Sequence, residues 1–351
     1  MNFKLALVSI CIVAFSCTKN PDPQPGTFLT GSGVFILNEG NFMGGNGSVS
    51  FYSYDSSKIY NDLFASVNGR PLGDVPNSMT INGEIACIVV NNSGKIEIIN
   101  KNTLESIATV SGLNSPRNIS FINSKKAYVT SMYSDSVAVL NLTTSSVSGY
   151  INLRRHSESI VITGNKAFIS DWIGGTEVMV VNTVTDKVTD SIKVGMEPES
   201  MVIDKNNTLW VLCNGGWMRS YFAELIGINT STNTIDKKFT FPSKQDSPSC
   251  IQINGSGETL YYLESGSGVR QMNITSPALP SSAFIAETGH YFYKFGVNPV
   301  NGDILITDAI DYQQKGLVLH YKKDGTLGST LTADIIPGLM CFKLNDNFKA
   351  K

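Results

Sequence analysis

The sequence predicts an all-β chain: a seven-bladed β-propeller of four-stranded antiparallel blades, closed by pairing of its N- and C-terminal segments. Three observations predict it. An apolar strand signature recurs along the chain, its spacing is that of a propeller repeat, and the last segment supplies a strand that the first unit lacks.

The signatures are "VFILN" 34–38, "CIVVN" 87–91, "AYVTS" 127–131, "AFISD" 167–171, "LWVLC" 209–213, "LYYLE" 260–264 and "ILITD" 304–308. Their last positions differ by 53, 40, 40, 42, 51 and 44 residues. Most are followed by a polar or Gly-rich break and a second alternating run, such as "GKIEIIN", "DSVAVLN" or "TEVMVVN". Most are preceded by another run that is often led by Pro, as in "VPNSMTING" 75–83, "SPRNISFIN" 115–123, "EPESMVIDK" 197–205 and "SPSCIQING" 247–255. "HSESIVITG" 156–164 fills the same slot without the Pro. Alternation of period two marks half-buried strands, and about four strands in about 40 residues make a blade. "IPGLMCFKL" 336–344 is one more Pro-led inner strand with nothing after it, while "VFILN" has no inner strand before it. Pairing the two completes the seventh blade and leaves no open edge.

The N-terminus stands apart. "MNFKLALVSICIVAFSC" carries Lys4 and then an apolar run too short for a spanning helix, so residues 1–16 are expected to be a signal peptide. Ala14-Phe15-Ser16-Cys17 resembles a bacterial lipobox, which implies cleavage before Cys17 and its lipidation. Residues 17–32 then form a Pro/Gly-rich tether and 33–351 the propeller. Thr18 stands where an Asp would resemble an inner-membrane retention signal, so the resemblance points to an outer-membrane lipoprotein, facing the cell surface or the periplasm. The chain is expected to meet the membrane through this anchor alone.

Composition excludes little but points away from nucleic acid. Charged residues make up 16% and the formal charge is −2, without a basic stripe. Cys87, Cys213, Cys250 and Cys341 lie in widely spaced apolar runs and are expected as buried free thiols. Neither C-x-x-C nor Cys/His spacing marks a metal site. The three histidines, His156, His290 and His320, are expected in different blades, and no H-E-x-x-H or G-x-S-x-G motif occurs. The expectation is therefore a protein that is not an enzyme, without catalytic residues, metal or resident cofactor.

The copies at 126–203 resemble the YVTN-type repeat of YncE-like propellers. The matching residues are Tyr128-Val129-Thr130, Val137-Ala138-Val139-Leu140-Asn141 and Val194-Gly195-Met196-Glu197-Pro198. The resemblance implies the fold. It says little of function, because one fold carries many activities.

Topology orders the loops. In a four-stranded meander blade, the loop between second and third strands shares a face with the crossover to the next blade. On that face stand Phe42, Tyr133, Trp172, Trp217, Tyr221, Phe222 and Tyr312, with Tyr291 and Tyr293 from a crossover. Trp172 and Trp217, flanked by Gly, are expected to be exposed; Phe42 and Phe222 are read equally as contact or as loop core. Trp210, inside a signature, is expected in the core. Aligned crossovers place Asn77, Arg117, Glu158, Glu199, Ser249, Tyr293 and Gly338 at the mouth of the central channel. Their mixed charges are either a ligand's polar anchors or a ring that neutralises itself. The candidate ligand-binding set is Phe42, Asn77, Arg117, Tyr133, Glu158, Trp172, Glu199, Trp217, Tyr221, Tyr293 and Tyr312.

"NEGN" 38–41 and its Gly/Asn-rich loop resemble surface lipoproteins that capture cobalamin above TonB-dependent transporters. That resemblance implies a binding protein for cobalamin or a similar large cofactor, with a TonB-dependent outer-membrane transporter as partner. Two other readings stay open: a lactonase-like or quinoprotein-like enzyme, and a protein–protein interaction platform.

Overall fold

Seven four-stranded antiparallel sheets ring a central channel in the computed structural model, which describes residues 29–344. The signal peptide, the lipidation site Cys17 and the tether up to residue 28 lie outside the described residues. Six blades are continuous in sequence. Blade 2, for example, runs Pro76–Asn82, Ile85–Val90, Lys95–Asn100 and Ser106–Ser111 from the axis outwards. Blade 1 is composite: Pro337–Lys343 is its inner strand, followed by Gly33–Asn38, Ser48–Ser53 and Lys58–Tyr60. The seam is antiparallel, with Gly33 opposite Lys343 and Asn38 opposite Pro337. Val34, Phe35, Ile36 and Leu37 are fully buried there, so an open ring would expose both a strand edge and apolar side chains.

Period-two alternation explains how the blades hold together. In Thr208–Cys213 of blade 5, Leu209, Val211 and Cys213 pack with Phe168, Val178 and Val180 of blade 4. The intervening Trp210 and Leu212 pack with Leu260 and Tyr262 of blade 6. Trp210 is fully buried, as its place in the signature predicts, and its indole N–H donates to Asp204 Oδ2 at 3.0 Å. Cys87, Cys213, Cys250 and Cys341 are free thiols; burial pushes those of Cys87 and Cys341 up to about 12.

The two long repeat intervals have structural counterparts on the crossover face. The interval of 53 holds a helix, Leu63–Asn68, whose Leu63 and Phe64 are buried against blades 1 and 2. Gly69 ends it in the left-handed region (φ 63°), its N–H donating to the Ala65 carbonyl at 2.9 Å. Just beyond, Arg70 binds the buried Glu97 with two hydrogen bonds of 2.9 Å and fastens this crossover to blade 2. The interval of 51 includes the 214–223 loop of blade 5, which carries Trp217 and Tyr221.

Candidate functional site at the mouth of the central channel

The same corner recurs where four crossovers enter their inner strands. Val75, Ser115, Glu197 and Ile336 each precede a Pro and each adopt a left-handed φ, between 42° and 55°. Non-glycine residues pay about 1–3 kcal/mol for that region, so the corner persists where its surroundings fix it. Each corner carbonyl accepts a backbone N–H from just past the neighbouring second strand: Asn91 at 2.8 Å, Met132 at 3.0 Å, Asn214 at 3.1 Å and Glu39 at 2.8 Å, respectively. Pro then opens the strand, where its missing N–H costs nothing.

The residue after that first position is aimed at the channel. In blades 2, 5 and 7 the ladder register shifts between Pro76 and Ser78, Pro198 and Ser200, and Phe292 and Lys294. Asn77, Glu199 and Tyr293 are thus the extra residues of β-bulges, which redirect a side chain out of the ladder. In blade 6 the shift comes later, between Ser249 and Gln252, and Cys250 takes a φ of 56°. This corrects one expectation: Cys250 lines the cavity and Ser249 does not.

The resulting cavity, about 510 Å³, brings together six of the candidate residues: Asn77, Arg117, Glu158, Trp172, Glu199 and Tyr293. Arg117 forms a bidentate pair with Glu158, Nε to Oε2 at 2.7 Å and Nη2 to Oε1 at 2.9 Å. Its guanidinium lies 5.7 Å from the centre of the Trp172 ring. Asn77 Nδ2 donates to the Arg117 carbonyl at 2.7 Å, linking blade 2 to blade 3. Glu199 accepts the Cys250 N–H at 2.9 Å and the Ser200 hydroxyl at 2.5 Å.

Two charged lining residues escaped the sequence reading. The Tyr293 hydroxyl shares its single proton between the two Glu39 carboxylate oxygens, at 3.0 and 3.1 Å. Burial pushes its carboxyl above the usual value, and Lys294, Tyr293 and Arg117 pull it only part of the way back. Lys294 is the other. Its signal was its position beside Tyr293 in "GHYFYK"; that of Glu39 was its place in "NEGN". Three carboxylates, of Glu39, Glu158 and Glu199, therefore face two cations, Arg117 and Lys294, across the cavity.

The remaining candidates stand around the cavity and do not line it. Trp217 is 85% exposed, Phe42 70%, Tyr133 64% and Tyr221 56%, which places all four rings in solvent. Tyr312 is more sheltered and meets Tyr293 edge to face at 5.7 Å. Phe222 is also exposed, with the Lys244 ammonium 5.6 Å from its ring centre. Trp172 departs from expectation: it is half-buried, because its loop folds over Arg117. Its indole N–H is buried without a hydrogen-bond partner among the described residues. The histidines are not spread over three blades as expected: His290, 2.9 Å from Asp308, and His320 both belong to blade 7. Among the described residues, no group of three or more His, Cys, Asp or Glu could hold a metal ion.

Residues 32–327 match the family described as a domain of unknown function, DUF5074. The chain belongs to that family. Several solved structures share the fold of this DUF5074 propeller. A quinonprotein alcohol dehydrogenase-like protein of Bacteroides thetaiotaomicron superposes with a TM-score of 0.69 at 15% identity, covering 90% of this chain and 78% of that one. A functionally unknown protein of Desulfotomaculum acetoxidans gives 0.69 at 12%, covering 90% and 99%. A candidate 6-phosphogluconolactonase of Bacteroides uniformis gives 0.67 at 13%, covering 89% and 99%. At such identities the likeness extends to the fold alone. No curated protein matches the chain.

Proposed function

We propose that this DUF5074 propeller is a non-enzymatic binding protein, lipid-anchored through Cys17 at the bacterial surface, that captures a small molecule at the crossover-face mouth of its channel. One observation carries the reading. Polar groups held by bulges and corners form the floor of a cavity, and large aromatic rings stand exposed on the same face around it. Exposed rings without a folding role are what a ligand platform needs, and fixed polar groups beneath them supply orientation.

The finer reading is a corrinoid such as cobalamin, delivered to a TonB-dependent transporter. A wide, flat ligand with an amide-bearing rim matches a broad aromatic face whose loops also present Asn41, Asn46 and Asn214. The excess of carboxylates over cations disfavours an anionic ligand. The unpartnered Trp172 N–H is a donor suited to a carbonyl on the ligand.

Chain direction supports the orientation. The strand Gly33–Asn38 runs towards the crossover face, so the tether joins the propeller at the opposite face. An anchor at Cys17 would thus hold the propeller by the face opposite the channel mouth.

The test is a thermal-shift screen of purified protein against corrinoids, haems, quinones and divalent metals. A ligand that binds the folded state raises the melting temperature with concentration. Stabilisation by a corrinoid supports the finer reading, by a quinone or metal the enzyme reading. No shift from any compound contradicts small-molecule capture from these classes.

A further inference from the structure

A second cavity, about 590 Å³, opens on the opposite face at the seam between blades 1 and 7. Tyr52 and Tyr54 line it from blade 1; Asn298, Asn301, Asp303 and His320 line it from blade 7. It lies a strand's length, roughly 20 Å, from the channel mouth, and none of its lining residues belongs to that site.

Its polar groups form a continuous network. His320 Nε2 lies 3.0 Å from Asp303 Oδ2, and Nδ1 lies 3.3 Å from the Tyr52 hydroxyl. One tautomer satisfies both contacts: Nε2–H donates to the carboxylate and Nδ1 accepts the phenol proton. Asp303 also accepts the Asn301 amide at 2.9 Å and the Lys323 N–H at 3.1 Å. Both of its oxygens are thus engaged by the wall. The Tyr54 hydroxyl accepts from Asn298 Nδ2 at 3.1 Å and keeps its own proton to give. Tyr52 and Tyr54 meet edge to face at 5.5 Å, and burial keeps both phenols protonated. Val300, 56% exposed, adds an apolar surface at the rim.

We infer that this cleft is a second ligand site, for a neutral saccharide of one or two units. A sugar ring offers an apolar C–H face and a rim of hydroxyls, each of which both donates and accepts. Phenol, serine and carboxamide groups pair with such hydroxyls in either sense, and tyrosine rings supply the flat apolar partner. An anion gains no counter-charge here, and a cation would have to compete for an Asp303 carboxylate that His320, Asn301 and the Lys323 N–H already hold. The size is that of small-molecule pockets, about 300–1,000 Å³. The inference is independent of the channel-mouth reading.

Ligand-observed NMR titration with glucose, galactose, mannose, maltose, lactose and cellobiose tests it, with inorganic phosphate as the charged control. At least one sugar is expected to bind, and phosphate neither to bind nor to compete. Tyr54→Ala is expected to lower that affinity at least tenfold. Val300→Trp, which fills the cleft from an exposed position and spares the core, is expected to do the same with an unchanged melting temperature. Val184→Trp puts the same ring in an exposed turn of blade 4 and is expected to leave binding intact. A panel in which no sugar binds, or binding that survives Val300→Trp unchanged, overturns the inference.

Discussion

A Cβ at position 338 would meet Glu39 Oε1 at 2.8 Å, so the glycine there makes room for a loop carboxylate to complete the ring at the mouth. The "NEGN" stretch has a physical account in the same place. Asn38 is buried and donates to Ser48 and Ser50, Gly40 takes a φ of 70°, and Asn41 Nδ2 reaches the Tyr312 carbonyl of blade 7 at 2.9 Å. Glu39 is left facing the channel. Its folded pKa lies above its ordinary 4.5, so ionisation opposes folding: the stability it contributes is full below that value and is lost as pH rises through the folded pKa. Glu39→Gln, which keeps an acceptor for Tyr293, is expected to melt higher than wild type at neutral pH and to converge with it in acid. A difference independent of pH would contradict this. The tryptophans separate in the same measurement. Trp210→Ala leaves a cavity and takes the donor from Asp204 Oδ2, while Oδ1 keeps the Asn206 and Thr208 N–H groups, a loss of about 3–5 kcal/mol. Trp217→Ala is expected to stay within about 0.5 kcal/mol of wild type, as surface changes do. Equal losses at the two positions would make Trp217 part of the core. Local pattern separated these two rings, since one sits in a strand signature and the other between glycines and a polar turn. It did not place Trp172, whose half-burial depends on Arg117 from the neighbouring blade.

At the scale of strands, register decides which residue enters the site. The sequence alignment of crossovers assigns equivalent positions to Ser249 and Glu199, yet the bulge falls on different residues in blades 5 and 6. Side-chain spacing does not encode where a ladder slips by one residue, so Cys250 could not be read in advance. Closure was legible, because an orphan strand at one end matched a missing strand at the other. Truncation before Ile336 removes the strand that pairs with Gly33–Asn38 along its length. The ring then exposes an edge beside buried Val34 and Ile36, both of which pack with the chain's last blade. The truncated protein is expected to aggregate or to melt far below the full chain in size-exclusion and calorimetric assays. Melting like the full-length chain would contradict the seam.

For the molecule as a whole, two faces divide the work. The plain face receives both ends of the propeller and carries mostly short turns, the 274–284 segment of blade 6 excepted, whereas the crossover face carries the helix, the 214–223 loop and the channel mouth. Repeat spacing made this division readable from sequence, since insertions of roughly ten residues beyond a 40-residue period fall into loops and not into strands. The anchor belongs to the same scale. Cys17→Ala is expected to move the protein from the membrane to the soluble fraction, or to leave it unprocessed, without altering its melting temperature. Normal processing and membrane retention would end the lipoprotein reading. The central claim, that the crossover face is a capture site, is tested most directly by calorimetric titration of cyanocobalamin into wild-type protein and Trp217→Ala in parallel. The account predicts one-to-one binding to the wild type and a loss of about 1–3 kcal/mol in the variant, or one to two decades in affinity. Absence of binding would contradict the corrinoid, and equal affinities for the two proteins would contradict the face.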